Sequence, residues 1–395
     1  MRINYVTTDK RASRGARIFF AALTVALCIV FGGLRVCASD GESETLPPEY
    51  QNFIGSLEPS VTDRLPDGVF SDELGDINEA AGELASPIHL LGEVLEALGE
   101  GMREVLPSLA LLIGIVIISA LCRAMSSYFG AGLGKAIDTC ARLFTFAAIA
   151  GVALGAVGRL GDYFNQLFSA VASFLPLSAT LYAMGGNLTA AASSTATLST
   201  ILTICQFFCS YTVLPVFCIC LCFSLLSVFD GQASMAGEAV CGTLRKWYMT
   251  ALSFIMMILT STLATQSILS AKADRAAMRG MKFAVSNFVP ISGGTLSSTL
   301  GTLAAGVELL RGAVGVIGIA VIIIMLIPPI IQLALMRTVF GIASFCAGML
   351  GAVEEQKLLS ELGSLYGYLE GVAALCSAIF LVAFGIFASI SVPIA

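Results

Sequence analysis

Most of this chain consists of apolar segments that are long enough to cross a lipid bilayer. A membrane-spanning helix needs about 17 to 25 predominantly apolar residues, and from Val105 onward such segments follow one another with short interruptions. The candidate spans are 105–122, 141–158, 166–184, 201–229, 247–270, 284–307, 313–336 and 371–392, with 338–353 as a possible ninth. Because 57% of the residues are hydrophobic and 12% are charged, one soluble core cannot bury the apolar side chains. We therefore predict an all-α, polytopic integral membrane protein with about eight transmembrane helices.

The N-terminus has the three parts of an export signal. Basic residues at positions 2, 10, 11, 14 and 17 precede the apolar stretch 18–34, and Val36-Cys37-Ala38 provides a small-residue cleavage site. Residues 1–38 are predicted to be a cleaved signal peptide. An uncleaved anchor is the alternative, because the apolar stretch approaches the length of a span. In both cases the segment that follows lies outside the cytoplasm.

That following segment is acidic. Residues 39–104 contain 16 acidic and 2 basic residues. Residues 39–85, rich in proline and acids, are predicted to be an extracytoplasmic linker with too little apolar content to fold alone. Residues 86–104 are predicted to form an amphipathic extracytoplasmic helix that starts at Ser86-Pro87. We expect its apolar face to pack on the membrane domain or a partner protein. This face carries Leu91, Val94, Leu95, Leu98, Met102 and Val105. The membrane domain is then 105–395.

Two basic stretches orient the predicted spans. Residues 123–142 and the cluster Lys272, Arg275, Arg279 and Lys282 are both placed in the cytoplasm by the positive-inside rule. The four residues of the cluster recur at helical spacing and form one cationic face. The preference of basic residues for the cytoplasmic side of a membrane is sufficient to explain this face. Docking of a cytoplasmic partner or of lipid phosphates is the alternative interpretation.

A nine-residue phrase occurs twice, as AVASFLPLS at 170–178 and as AVSNFVPIS at 284–292. The offset of 114 residues suggests an inverted repeat of about 159–245 against 273–359, because an odd number of predicted spans separates the two copies. Chance similarity in an apolar chain is the alternative. Under the repeat, 338–353 is an interfacial or re-entrant helix and the C-terminus lies outside.

The repeated phrase predicts two helix breaks that could line a transport pathway. Pro176 and Pro290 each lack an amide donor and crowd the preceding turn, and Gly293 and Gly294 add permissive backbone after the second proline. Broken backbone at membrane depth must be buried in protein or line a wet cavity. Polar groups beside the second break are Asn287, Ser292 and Thr295. Ordinary proline kinks in packed helices are the alternative.

The sequence contains no recognisable catalytic, cofactor or metal site. P-loop, HExxH and GxSxG motifs are missing, and the single histidine, His89, precedes the membrane domain. The cysteines fall mostly in apolar segments, where they act as small hydrophobic residues. We predict a protein that is not an enzyme, has no cofactor and has no nucleic-acid partner.

The stretch KFAVSNFVPISGG at 282–294, together with the predicted signal and acidic segment, resembles the stage III sporulation protein AE family. The resemblance implies a permease-like or channel-core subunit of the stage III sporulation A complex, a secretion-like apparatus that links mother cell and forespore and is needed for forespore development. Its implied partners are an ATPase and ring-forming subunits of that complex, besides the lipid bilayer. The implied location is the outer forespore membrane, on the mother-cell side. A stand-alone solute transporter and a non-conducting scaffold stay as alternatives.

Overall fold

The chain is helical throughout the part that the structure describes. The computed structural model describes residues 46–71, 73–126, 128, 131–226, 231–288 and 293–389, and these residues contain no strand. The all-α prediction is thereby confirmed. The predicted signal peptide (1–38), Pro290 and Ser292 lie outside the described residues. The helices are α1 (Pro48–Gly55), α2 (Pro59–Thr62), α3 (Leu74–Leu84), α4 (Pro87–Ser126), α5 (Ala131–Met184), α6 (Leu188–Gln206), α7 (Leu214–Leu226), α8 (Gly231–Phe288), α9 (Gly293–Met349) and α10 (Val353–Ser389).

Residues 48–84, predicted to be part of a linker, are folded. Prolines start α1 and α2, a 3-10 turn covers Asp67–Phe70, and α3 follows. Tyr50 donates a hydrogen bond to the Val69 carbonyl at 2.8 Å, and Phe53 and Ile77 are buried. The linker prediction is wrong for these residues because it considered the segment in isolation. Helices α1 and α3 dock on α5 and α9, and those long helices complete the core that the segment lacks.

The predicted amphipathic helix 86–104 exists but is not a separate element. Helix α4 starts at Pro87, as expected, and the His89 amide donates to Ser86 Oγ at 3.4 Å. The helix then continues without interruption into the first predicted span and ends at Ser126. Its glutamate-bearing side faces the protein, whereas most of its apolar side is exposed. Apart from Val105, which is buried, the predicted apolar face does not pack on the membrane domain, and packing on a partner protein stays a prediction.

Helices α4, α5, α9 and α10 form an up-and-down bundle. Arg142 near the start of α5 contacts Glu354 near the start of α10 at 2.7 Å, and Tyr182 near the end of α5 contacts Phe387 with ring centroids 5.2 Å apart. These two helices therefore run in parallel. Helices α4 and α9 run the opposite way. We call the end where α4 and α9 finish the A end, and the end where α5 and α10 finish the B end.

The remaining long helices follow the same plan. A π-helical segment, Phe207–Val213, joins α6 to α7, so that both descend as one rod from the B end to the A end. Helix α8 runs from the A end to the B end. Cys241 of α8 lies near Cys220 close to the A end, and Ser270 of α8 forms a hydrogen bond with Ser193 at 2.6 Å close to the B end. Helices α6 and α7 thus lie antiparallel to α8.

Six helices in the described residues are long and apolar enough to cross a membrane, where the sequence predicted about eight. The predicted spans 141–158 and 166–184 both lie within α5, and α9 contains 313–336 together with residues 338–349 of the possible ninth span. The charges of Arg159 and Asp162 suggested a loop between the first two. An α-helix bonds its own backbone irrespective of side-chain polarity, so a polar interval does not require a turn.

The predicted break at Pro176 is not present, because α5 passes through this residue. Nearby hydroxyls bond to the helix itself: Ser173 donates to Ala170 and Ser178 to Leu175, at 2.9 and 2.8 Å. A shift of 114 residues maps the junction between α5 and α6, at 184–188, onto 298–302, where α9 is one continuous helix. The structure therefore gives no support to the predicted inverted repeat.

Exposed side chains locate the membrane along the bundle. On α5, Leu143, Phe144 and Leu154 are exposed between Arg142 and Arg159, an interval of about 26 Å at 1.5 Å per residue. This length matches a hydrocarbon core of about 30 Å. Over the ten residues that follow Arg159, the exposed positions of α5 are polar: Asp162, Asn165 and Ser169. We call the interval on the A-end side of Arg159 the membrane band, and the remainder of the bundle, with α1–α3, lies on its B-end side.

The cationic cluster does not share a side with residues 123–142. Lys272 follows Ser270, which contacts α6 near the B end, whereas Arg142 contacts Glu354 at the A end. Lys272 and Arg279 are exposed on α8, and Arg275 and Lys282 lie on the same helix. The two basic stretches therefore lie at opposite ends of the bundle, and a membrane between these ends would place them on different sides.

Cysteine labelling tests this arrangement. In a cysteine-free background, we expect Leu188→Cys and Ala276→Cys to react with a membrane-impermeant maleimide from the same side, and Val353→Cys to react from the opposite side. All three positions are exposed. The readout is labelling of intact cells against permeabilised cells, with the cysteine-free parent as the blank. Labelling of positions 276 and 353 from one side would contradict the six-helix topology.

Candidate functional site

A polar cleft lies where the N-terminal helices meet the bundle, at the B-end boundary of the membrane band. It has a volume of about 330 Å³. Four parts of the chain form its walls. They are residues 58–64 around α2, and the helices α4, α5 and α9. Its polar lining residues are Glu58, Ser60, Arg64, Glu100, Glu104, Arg159, Asp162, Tyr163, Gln166 and Gln332. Charged side chains from the α2 region, α4 and α5 converge on this cavity, and α9 contributes the neutral amide of Gln332.

Arg64 fixes one wall by bridging two turns of α4. Its guanidinium contacts Glu93 at 3.2 Å and Glu100 at 3.0 Å. Glu93 and Glu100 are seven residues apart and therefore lie on one side of the helix. Glu93 is buried, and pairing offsets the desolvation cost of a buried carboxylate. The acidic side of α4 is thus turned toward the protein.

Helices α4 and α9 meet closely at the second wall. Gln332 donates a hydrogen bond to Glu104. One turn away, a Cβ on Gly101 would lie 2.9 Å from Leu335 Cδ1, so glycine allows this approach. Glu104 and Gln332 therefore hold their polar groups at the rim of the cleft, next to Arg159 of α5.

Two consecutive prolines remove two backbone donors from the α9 wall. Pro328 and Pro329 have no amide hydrogen, so the carbonyls of Ile324 and Met325 lose their usual donors one turn later in the helix. All four residues line the cleft. The α9 wall therefore combines the side chain of Gln332 with a turn of helix that lacks two of its regular backbone hydrogen bonds.

An aromatic barrier closes the cleft toward the centre of the bundle. The Tyr163 hydroxyl and Ser377 share a buried hydrogen bond. Phe168 packs edge-on against Phe380 at 6.3 Å, and Phe174 lies 3.9 Å from Phe384 between ring centroids. Helix α10 is surrounded by other helices at this level. The cavity is thus a vestibule that ends inside the chain rather than a through-going pore.

The charge pattern of the cleft is mixed and acid-rich. Four carboxylates, from Glu58, Glu100, Glu104 and Asp162, face two guanidiniums, from Arg64 and Arg159. Such a surface attracts water and small polar or cationic solutes. No group of three or more His, Cys, Asp or Glu side chains is arranged to hold a metal ion anywhere in the ranges given above.

The described residues of the predicted pathway lie at different levels of the bundle. Pro176 is exposed on α5, at the level where α10 approaches its end. Asn287 lies at the end of α8, and Gly293, Gly294 and Thr295 lie at the start of α9. The start of α9 is roughly 35 Å along its own axis from the level of Pro176. The break at Pro290 stays a prediction, because Pro290 and Ser292 lie outside the described residues.

Sequence reasoning missed the residues that do converge. Arg159 and Asp162 fall between the predicted spans 141–158 and 166–184, and Pro328-Pro329 falls inside the predicted span 313–336. A usable signal was present: the run IIIMLIPPIIQ at 322–332 places two prolines and a glutamine inside an otherwise apolar helix. Polar residues within membrane helices usually face protein or a wet cavity.

Comparisons with known proteins agree on one family. The family model described as "Stage III sporulation protein AE" matches residues 77–391. A protein of Bacillus subtilis (strain 168) named "Stage III sporulation protein AE" is 21% identical over 281 residues, which cover 70% of each chain. No solved structure shows a significant match.

Proposed function

The chain belongs to the stage III sporulation protein AE family, and we propose that it is a membrane-embedded, permease-like or channel-core subunit of the stage III sporulation A complex. In this role it contributes to the connection between mother cell and forespore that forespore development needs. The chain resides in the outer forespore membrane, made by the mother cell. The B end, with the acidic helices α1–α3, faces the space between the two forespore membranes.

The observation that carries this proposal is the position of the charged cleft. It lies between helices that are long and apolar enough to cross a membrane. Polar and ionisable residues of membrane-spanning helices, such as Asp162 of α5 and Gln332 of α9, commonly mark solute or ion pathways. A cleft of this kind supports a part in translocation over a part in catalysis.

The aromatic barrier favours a channel-core subunit over a stand-alone transporter. Tyr163, Phe168 and Phe174 from α5 fill the space against α10 beyond the cleft. A passage through the membrane therefore needs a second wall from another subunit or another copy. Ring-forming subunits would meet the B end. An ATPase would dock at the A end, where Lys246 and Lys357 are exposed, rather than on Lys272 and Arg279.

A spore assay with charge-reversed variants tests the proposal. In the source bacterium, with the native copy replaced, we expect Asp162→Lys and Glu104→Lys to lower heat-resistant spore counts at least tenfold at unchanged protein level. Each change puts a cation where the cleft now has a carboxylate. Glu79→Lys, an exposed acid of α3 outside the cleft, is the matched control and should leave spore counts unchanged.

Co-purification separates the channel role from a scaffold role. We expect the two cleft variants to keep their complex partners while development stops. Wild-type spore counts in both variants would contradict a role for the cleft. Loss of the partners together with loss of spores would favour the scaffold alternative, because the cleft would then serve assembly.

A further inference from the structure

The exposed side of α4 carries a seam that has no partner within the described part of the chain. Its members are Ile88, Leu91, Leu95, Leu98 and Met102, whose exposure ranges from 38 to 83%. They recur at intervals of three, four, three and four residues, which is the heptad spacing of a coiled-coil seam. The seam lies on the side of α4 opposite Glu93 and Glu100. We call these five residues the α4 seam.

Lipid cannot cover the α4 seam. The exposed apolar side of α4 runs from Ile88 to Met125, about 56 Å at 1.5 Å per residue, which is nearly twice the thickness of a hydrocarbon core. The membrane band accounts for the part between Arg103 and Arg123, where Leu106, Ile118 and Leu121 are exposed. The α4 seam lies on the B-end side of this part, beside the polar cleft. Five large apolar side chains in a row are therefore left facing an aqueous compartment, as at a protein interface.

The charges of α4 permit a second copy to approach along the α4 seam. Helix α4 is acidic, yet Glu93 and Glu100 pair with Arg64, and Glu104 bonds to Gln332. The residues flanking the α4 seam are Gly92, Val94 and Gly99, which carry no charge. A Cβ built on Gly92 or Gly99 would meet nothing within 4 Å. The positions where two α4 helices would touch therefore carry no like charges that repel each other. The two glycines allow the helices to approach closely.

We propose that α4 is a self-association helix, and that the partner of the α4 seam is the same seam of a second copy. Copies inserted in one membrane share one orientation, so that their α4 helices are necessarily parallel. A heptad seam is self-complementary in that geometry, since each position meets its own equivalent across a two-fold axis. Two heptads alone are marginal in water. The apolar surface of α4 within the membrane band extends the contact. This inference rests on the membrane placement and not on the proposed transport role.

Disulfide cross-linking in membranes tests the inference. Two differently tagged full-length copies, both cysteine-free except for one introduced cysteine, are co-expressed and oxidised with copper phenanthroline. We expect Leu91→Cys, Leu95→Cys, Leu98→Cys and Met102→Cys to give products carrying both tags. Glu96→Cys and Arg103→Cys are matched controls, because both positions are exposed on α4 but point more than about 100° away from the α4 seam. We expect their yield to be at least tenfold lower.

A second variant pair keeps the test decisive. Leu95→Glu combined with Leu98→Glu should abolish the two-tag product through Leu91→Cys, while protein level and labelling of Val353→Cys stay unchanged. Equal cross-linking at the seam and control positions would overturn the proposal. So would cross-linked products none of which carries both tags, since a different protein would then cover the α4 seam. Neither of these cross-linking results tests the proposed role of the cleft, which the spore assay tests separately.

Discussion

Replacing Arg123 with methionine is expected to destabilise the folded protein by about 3–5 kcal/mol, the cost of leaving a buried charge without its partner. Glu355 is 0% exposed at the start of α10. It pairs with Arg123 and accepts a hydrogen bond from Ser119 Oγ at 2.7 Å. Both partners lie on α4, so that one carboxylate ties α4 to the turn between α9 and α10. The measurement is the midpoint of thermal unfolding in detergent, followed by circular dichroism.

Two further variants separate loss of the pair from loss of an arginine. Arg103→Met removes an exposed arginine from the same helix and should change stability by no more than about 0.5 kcal/mol. The double variant Arg123→Met with Glu355→Met should recover most of the loss, because no charge is then stranded in the interior. Identical unfolding midpoints for Arg123→Met and Arg103→Met would show that Glu355 does not depend on this arginine.

Replacing Phe174 with alanine is expected to cost about 3–5 kcal/mol, as for other large buried aromatic residues. The Phe174 ring is 1% exposed. It packs on Phe53 of α1 at 5.6 Å and on Phe384 and Phe387 of α10 at 3.9 and 5.1 Å. One ring therefore joins the N-terminal helices to the central helix of the bundle. Its removal leaves a cavity on both sides and should loosen α1–α3 first.

Limited proteolysis together with thermal unfolding measures this effect. We expect Phe174→Ala to be cleaved within residues 48–84 at least tenfold faster than the wild type. The matched control is Phe144→Ala, on the same helix but 56% exposed in the membrane band, where lipid can fill the vacated space. Unchanged proteolysis of Phe174→Ala would mean that α1–α3 are held by other contacts, such as the hydrogen bond from Ser56 to Ser173.

Some features of this protein follow from local composition, and these could be predicted. Long apolar runs predict membrane helices because hydrocarbon admits backbone only when its polar groups are paired internally. The start of α4 at Ser86-Pro87 could be predicted because capping chemistry is local. The family resemblance carried by residues 282–294 also held, although several residues of that stretch lie where side chains are not described.

Other features depend on which surfaces meet, and the sequence alone did not determine them. Hydropathy measures how strongly a side chain avoids water. It does not distinguish lipid from protein interior, because both remove an apolar side chain from water equally well. For this reason the sequence could not decide between the membrane domain and a partner protein for the apolar face of α4. The charges at Arg159 and Asp162 were interpreted as a loop although they belong to a continuous helix. Pro176 was interpreted as a break although α5 passes through this residue.

The sequence by itself determined that this chain is helical and embedded in a membrane, because both properties arise from side chains and backbone within a single segment. Only the tertiary structure decided how many segments join into one rod, that residues 48–84 fold, and that Glu100, Asp162 and Gln332 share a cleft. Those outcomes depend on contacts between residues far apart in the chain. Their free energy comes from the fit of one helix against another rather than from the composition of either helix.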